Sequence, residues 1–294
     1  MKERLPATED VDGGTAGIDR VDTATRVRML IEAQRGAVDA ALGAADAIAR
    51  ATDAVVAALR AGGRIIVLGA GTSGRLAVLD AAVLAPTFGF ARERYECRIA
   101  GGDGALRRSI EGAEDDLATG AACVADVSAG DVVIGVSASG TAAFVQGALA
   151  AARANGALTI ALVNADRSAL GRDADVTILA ATGAEPVAGS TRMRAGTAQK
   201  IVLNTISTAA MIALGKTYRN RMVDVVASNA KLRARAERLV RELAGDVDAA
   251  ALLDAAGGHV KTAVVMARRG TGREAAERLL EAAGGRLAEL MDEG

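Results

Sequence analysis

The segment Ile65-Ile66-Val67-Leu68-Gly69-Ala70-Gly71-Thr72-Ser73-Gly74-Arg75-Leu76 restricts the fold more than any other part of the chain. Its four consecutive apolar residues, rich in β-branching, suit a parallel strand covered on both faces. Gly69, Gly71 and Gly74 let the backbone turn sharply and approach a ligand closely. Thr72 and Ser73 fall where a helix begins, so their hydroxyls and the unpaired backbone N–H groups can converge on an anion. The segment lacks the Lys of a P-loop and the G-x-G-x-x-G spacing of a dinucleotide fold. Ser and Thr are also favoured N-caps, so the same residues would serve a helix start that binds nothing.

The remainder of the chain repeats this alternation. Strands are expected at Arg98-Ile99-Ala100, Asp131–Ser137, Leu158–Val163 and Val176–Leu179, and helices at Gly104–Cys123 and Thr141–Ala154. A βαβα rhythm implies a parallel sheet with helices on both faces, and ligands bind such sheets outside the carboxyl ends of the strands. Residues 1–20 are polar and read as an extended arm; Val21 to about Ala61 has helical spacing, closed by Gly62-Gly63. From about Arg194 the pattern is helical, with Gly215 and Gly245 as punctuation. A weak repeat near the end, Ala255–Lys261 echoed by Ala282–Leu287, suggests a small helical appendage. The expected domains are an arm with helices at 1–61, an α/β domain at 62–244 and a small helical domain at 245–294.

Composition excludes several function classes. The chain has 294 residues, 51% hydrophobic but only 2% aromatic, and a formal net charge of -1. No basic block marks it for nucleic acid. The two cysteines, Cys97 and Cys123, lack metal-ligand spacing and fit a reducing compartment. One histidine, His259, argues against a His-based metal site or a Ser-His-Asp triad and reads as a helix-end residue. Acid–base chemistry then falls to carboxylates, Lys, Tyr or Cys. The charged start Met1-Lys2-Glu3-Arg4 does not read as a signal peptide, and the apolar run Ile201–Leu214, broken by Asn204, Thr205, Ser207 and Thr208, reads as a buried helix rather than a membrane span.

Three further clusters could carry chemistry. Val136-Ser137-Ala138-Ser139-Gly140-Thr141 is a second hydroxyl-rich turn between a strand and a helix, and two such turns at neighbouring strand ends can bracket one phosphorylated ligand. Gly189-Ser190-Thr191-Arg192-Met193-Arg194 opens the long helix with hydroxyls and cations, which is also what a capped, solvated helix start looks like. In Glu111-Gly112-Ala113-Glu114-Asp115-Asp116, Glu111 and Glu114 are spaced to share a helical face. Such runs are usually solvated surface, yet a carboxylate is the natural base in a chain without catalytic histidines.

Taken together, Leu68–Leu76, Ala100-Gly-Gly-Asp103, Glu111–Asp115, Gly189–Met193, Ala195–Lys200 and Met222-Val-Asp224 resemble N-acetylmuramate 6-phosphate etherase, of the sugar isomerase (SIS) superfamily. The resemblance runs from the arm to the C-terminal repeat. It implies a three-layer α/β/α SIS domain with a parallel sheet, N-terminal helices and a small C-terminal helical domain. It also implies a cytoplasmic homodimer, with a site near the dimer interface and neither metal nor organic cofactor. The implied reaction releases D-lactate from N-acetylmuramate 6-phosphate, giving N-acetylglucosamine 6-phosphate in cell-wall recycling and amino-sugar catabolism. By motif match Glu114 is the base, and Gly71, Thr72, Ser73, Gly74, Ser137, Ser139, Gly140, Ser190 and Thr191 bind the phosphosugar. No nucleic-acid or membrane partner is implied.

The chain departs from the family at a catalytic position. After Asp80-Ala81 the family usually has Ser-Glu-Cys-Pro before Pro-Thr, and that Glu is the candidate acid; here the segment reads Ala82-Val83-Leu84-Ala85-Pro86-Thr87. Val83 cannot donate a proton. The second turn also reads Gly140-Thr141-Ala142-Ala143 where Gly-Arg-Thr-Pro is usual. Three readings stay open: an etherase using another acid or water, an isomerase or epimerase of another phosphosugar, and a non-catalytic phosphosugar-binding regulator.

Overall fold

The computed structural model describes residues 6–166, 168–225 and 230–291. Five segments form parallel strands: β1 (Ile65–Gly69), β2 (Tyr95–Ile99), β3 (Val132–Ser137), β4 (Leu158–Val163) and β5 (Val176–Leu179), in the order β2-β1-β3-β4-β5. Every residue of β1 and β3 is buried, whereas β2 and β5, at the edges, are buried only in part. That gradient follows from helices on both faces of the central strands. β1 pairs with β3 from Ile65↔Val132 to Gly69↔Val136, so the two strands end level and their glycine turns stand side by side. The chain leaves β1 for β2 and then crosses back to β3, which makes the β1/β3 border the topological switch point where ligands of such sheets bind.

Three helices precede the sheet, α1 (Thr23–Ala33), α2 (Arg35–Gly43) and α3 (Ala45–Arg60). α3 buries Ile48, Ala51, Val55 and Leu59, the stripe that helical spacing predicts. The crossovers are α4 (Gly71–Phe88), α5 (Leu117–Ala122), α6 (Ala143–Ala154) and α7 (Ala169–Asp173), and α8 (Arg194–Ala213) follows the last strand. One core cluster joins Ile66, Leu68, Val133 and Val163 to Phe144, Val145 and Ala148 of α6. Among the described residues no helix is long and apolar enough to cross a membrane.

Three expectations change, the first being that the edge strand runs over Tyr95–Ile99 rather than Arg98–Ala100. Gly104–Cys123 is not one helix: 3-10 turns at Gly102–Leu106 and Ala113–Asp115 precede the short α5. Gly112 has a φ of 72°, and Asp116 restarts the helix by accepting from the Thr119 N–H. The arm is not simply extended either. Its described part contains 3-10 turns at Ala7–Glu9 and Gly13–Thr15.

The chain divides into two compact units, Met1–Ala82 with Glu93–Ser207, and Val83–Arg92 with Thr208–Gly294. The described residues of the second include a small hairpin, β6 (Thr217–Tyr218) and β7 (Arg221–Met222), and the helices α9 (Ala230–Ala244), α10 (Ala249–Ala255), α11 (Val260–Arg269), α12 (Arg273–Ala282) and α13 (Ala288–Met291). Here the sequence repeat has a local meaning. Gly257-Gly258 and Gly284-Gly285 all have positive φ, and the second glycine of each pair donates to a buried leucine carbonyl, Leu253 and Leu280. The repeat is one helix stop used twice. Lys261 extends from the first stop to the second, donating to the Gly285 carbonyl at 2.8 Å and pairing with Asp224 at 2.9 Å.

Candidate active site

A cavity of about 180 Å³ opens at the carboxyl ends of β1 and β3. Of the residues singled out from the sequence, Gly71, Thr72, Ser73, Glu114, Ser137, Ser139 and Thr191 line it. Two helix N-termini face it, because Gly71 begins the 18-residue α4 and Ala142, the N-cap of the 12-residue α6, is part of the wall. Unpaired N–H groups and the positive ends of two helix dipoles make this a place for an anion. A second lobe of about 280 Å³ shares Ala70, Gly71 and Glu114 with it and adds Arg75, Ser109, Glu111 and Asp115. Either lobe alone is smaller than the roughly 300–1,000 Å³ common for ligand sites; together they reach that range.

The two hydroxyl turns are built differently. The Ser73 hydroxyl, 8% exposed, donates to Gln199 Oε1 at 2.9 Å. Gln199 Nε2 donates to Asn164 Oδ1 at 2.9 Å, and Asn164 Nδ2 to the Ala180 carbonyl at 2.9 Å. This buried chain ties the β1 turn to α8 and to the ends of β4 and β5. It occupies the Ser73 proton, which leaves the backbone N–H groups and the Thr72 hydroxyl to meet an anion. In the β3 turn, Ser137 Oγ accepts from the Gly140 N–H at 3.1 Å, so its own proton is available to a ligand. Ser139 and Thr141 pair through their hydroxyls at 2.8 Å.

Gly74, Gly140 and Ser190 do not line the cavity. Gly140 shapes it from behind: φ is 72°, and a Cβ there would fall 2.1 Å from Ser168 Cβ. The start of α8 is satisfied from within, because the fully buried Glu185 accepts from the N–H groups of Arg194 and Ala195 at 2.8 and 2.9 Å. Arg194 is not solvated: it donates to the carbonyls of Ala33 and Ala184 and pairs with Asp12 at 3.0 Å.

Glu114 sits on a 3-10 turn, exposed, with its carboxylate free of hydrogen bonds and ion pairs among the described residues. A second carboxylate on the wall, Glu9 of the N-terminal arm, is absent from the residues singled out by the sequence. Its signal was faint, a lone acid in a polar stretch. Val83 stands on α4 nearly three turns beyond Ser73, 44% exposed, and offers no ionisable group. Among the described residues no three His, Cys, Asp or Glu side chains gather as a metal site requires.

Comparison with known proteins agrees with this architecture. Residues 47–153 match the glucokinase regulatory protein N-terminal SIS domain, and residues 114–209 match the SIS domain. N-acetylmuramic acid 6-phosphate etherase of Deinococcus radiodurans is 48% identical over 291 residues, covering 98% of this chain and 95% of that protein. The protein of the same name from Gloeobacter violaceus is 47% identical over 301 residues, covering 99% and 98%. Likeness at this level over nearly the whole of both chains establishes the kinship: the chain belongs to the N-acetylmuramic acid 6-phosphate etherase family.

Proposed function

We propose that this protein is a carbon–oxygen lyase that removes D-lactate from N-acetylmuramate 6-phosphate and yields N-acetylglucosamine 6-phosphate. The observation that carries the reading is the meeting of Glu114 with both hydroxyl turns on one cavity at the β1/β3 switch point. The phosphate sits against the N-termini of α4 and α6, held by the backbone N–H groups near Thr72 and Ser73 and by the hydroxyls of Thr72, Ser137 and Ser139. In the ring-opened sugar the C1 aldehyde acidifies C2–H, and Glu114 takes that proton. The C3–O bond breaks as C2=C3 forms, and water then adds at C3. Holding the phosphate fixes C2 relative to Glu114, which makes proton transfer effectively intramolecular.

The reading carries a cytoplasmic homodimer with it. An exposed apolar row on α1 and α2, Val27, Ile31, Val38 and Leu42, supports a second copy covering that face. A phosphosugar-binding regulator is the second reading, favoured by a valine without an ionisable group at position 83 and by the match of residues 47–153 to the glucokinase regulatory protein N-terminal SIS domain.

Incubation of the purified protein with N-acetylmuramate 6-phosphate separates the two. Enzymatic assay of free lactate and of N-acetylglucosamine 6-phosphate should show both forming at equal rates. Saturable binding of the substrate with no lactate over hours would replace the etherase by the regulator.

A further inference from the structure

We propose that Glu9 is the second catalytic carboxylate of this site, the acid that protonates the departing ether oxygen. This deepens the etherase reading and rests on it. With valine at 83, the acid must come from elsewhere, and the cavity beside the hydroxyl turns has two carboxylates on its wall, Glu9 and Glu114. Neither is engaged by a hydrogen bond or an ion pair among the described residues. In the same unit Asp12, Glu96, Asp126, Asp131 and Glu185, by contrast, are each held by an arginine or by backbone N–H groups.

The arm holds Glu9 in place from both sides in sequence. Before it, the Thr8 carbonyl accepts from the Gly189 N–H at 3.2 Å, and Thr8 is fully buried. After it, Val11 bridges to Glu185, Asp12 pairs with Arg194 at 3.0 Å, and the Thr15 hydroxyl donates to the Pro186 carbonyl at 2.9 Å. These contacts lash residues 8–15 to 185–194, the segment that also delivers Thr191 to the cavity. Gly189 makes room for the carboxylate itself. Its φ is 73°, and a Cβ there would lie 2.8 Å from Glu9 Oε2, so the carboxylate rests on bare backbone.

The proton balance closes with these two groups. Glu114 takes H2 and the C2–H electrons pass into an enolate on the C1 carbonyl; these electrons then form the C2=C3 bond as the C3–O electrons leave with the lactyl oxygen, which receives the proton of Glu9. D-lactate departs and Glu9 is left ionised. Glu9 then takes a proton from the incoming water as its oxygen bonds to C3, and Glu114 returns a proton to C2. Both carboxyl groups end as they began.

The test compares wild type with Glu9→Gln and Glu9→Asp in heavy water containing N-acetylmuramate 6-phosphate, following lactate release and deuterium at C2 of recovered substrate. Glu9→Gln is expected to release lactate about 10²–10⁴-fold more slowly, the usual worth of general acid catalysis. C2 exchange and substrate affinity should stay within about threefold of wild type, and Glu9→Asp should recover part of the rate. The arm is anchored through Thr8, Asp12 and Thr15, so an unchanged melting temperature is expected. Lactate release at the wild-type rate in Glu9→Gln overturns the proposal, and so does parallel loss of exchange and release. A wild-type protein that binds substrate but frees no lactate overturns the etherase reading itself, a different result on a different arm.

Discussion

At the amino ends of the strands Arg64 donates its backbone N–H to Asp131 at 2.8 Å and its guanidinium to Asp131, Asp126 and Glu96, and Arg98, from farther along β2, binds the same Glu96 and Asp126. At the carboxyl ends, Glu9 and Glu114 face a cavity with no cationic side chain paired to either among the described residues, beside the starts of two helices. Burial pushes the Asp131 carboxyl up, but the Arg64 guanidinium and the N–H groups of Arg64 and Ser128 outweigh it and hold it below the usual carboxylate range. Asp126 is held lower still, chiefly by Arg98. One end satisfies its charges internally and stabilises the sheet; the other leaves donors and carboxylates for a ligand. The same strands thus separate stability from chemistry by their two ends.

That contrast can be broken at either end. Glu114→Gln should lower lactate release about 10²–10⁴-fold, equivalent to about 3–5 kcal/mol in the barrier, without changing the melting temperature. A melting temperature that falls with activity would make Glu114 structural. Asp131→Ala should do the reverse, costing about 3 kcal/mol in urea unfolding by leaving Arg64 without its main partner while substrate affinity holds. The folded-state pKa of Asp131 lies below the unfolded value, so its stabilisation is complete above about pH 4 and is lost as pH falls further. The difference between wild type and Asp131→Ala should therefore shrink in acid; a constant difference from pH 7 to pH 3 would contradict the assignment. Ser137→Ala removes one donor to a charged oxygen and should weaken phosphosugar binding by roughly tenfold, about 1.5 kcal/mol, in a titration calorimeter. The smallest effect is expected from Val83→Glu. With Glu9 supplying the proton, lactate release should change by less than about threefold. A gain of tenfold or more would return the acid to position 83.

Much of the sheet is legible in the sequence because strands buried on both faces must be continuously apolar. Leu158–Val163 and Val176–Leu179 have the bounds that their composition predicts, and Ile65–Gly69 opens the expected glycine turn. The 104–123 segment is misread because local periodicity cannot register a left-handed Gly112 or the restart at Asp116. The hydroxyl turns are visible as residue types, but not the direction of each hydroxyl. That Ser73 faces Gln199 and Ser137 faces the Gly140 N–H depends on α8 and on turn geometry. Glu9 is hidden for a plainer reason. The contacts that bring it to the cavity join residues about 180 positions apart, and a short polar arm has no period to reveal them.

The most direct measurement is the isotope at C2 of the product formed in heavy water. Elimination followed by water addition moves the C2 proton onto the exposed Glu114, which exchanges it with solvent before returning one, so N-acetylglucosamine 6-phosphate should carry deuterium at C2. Lactate released with protium retained at C2, and at an unchanged rate from substrate deuterated at C2, would mean that the C2–H bond is never broken, and would contradict Glu114 as the base.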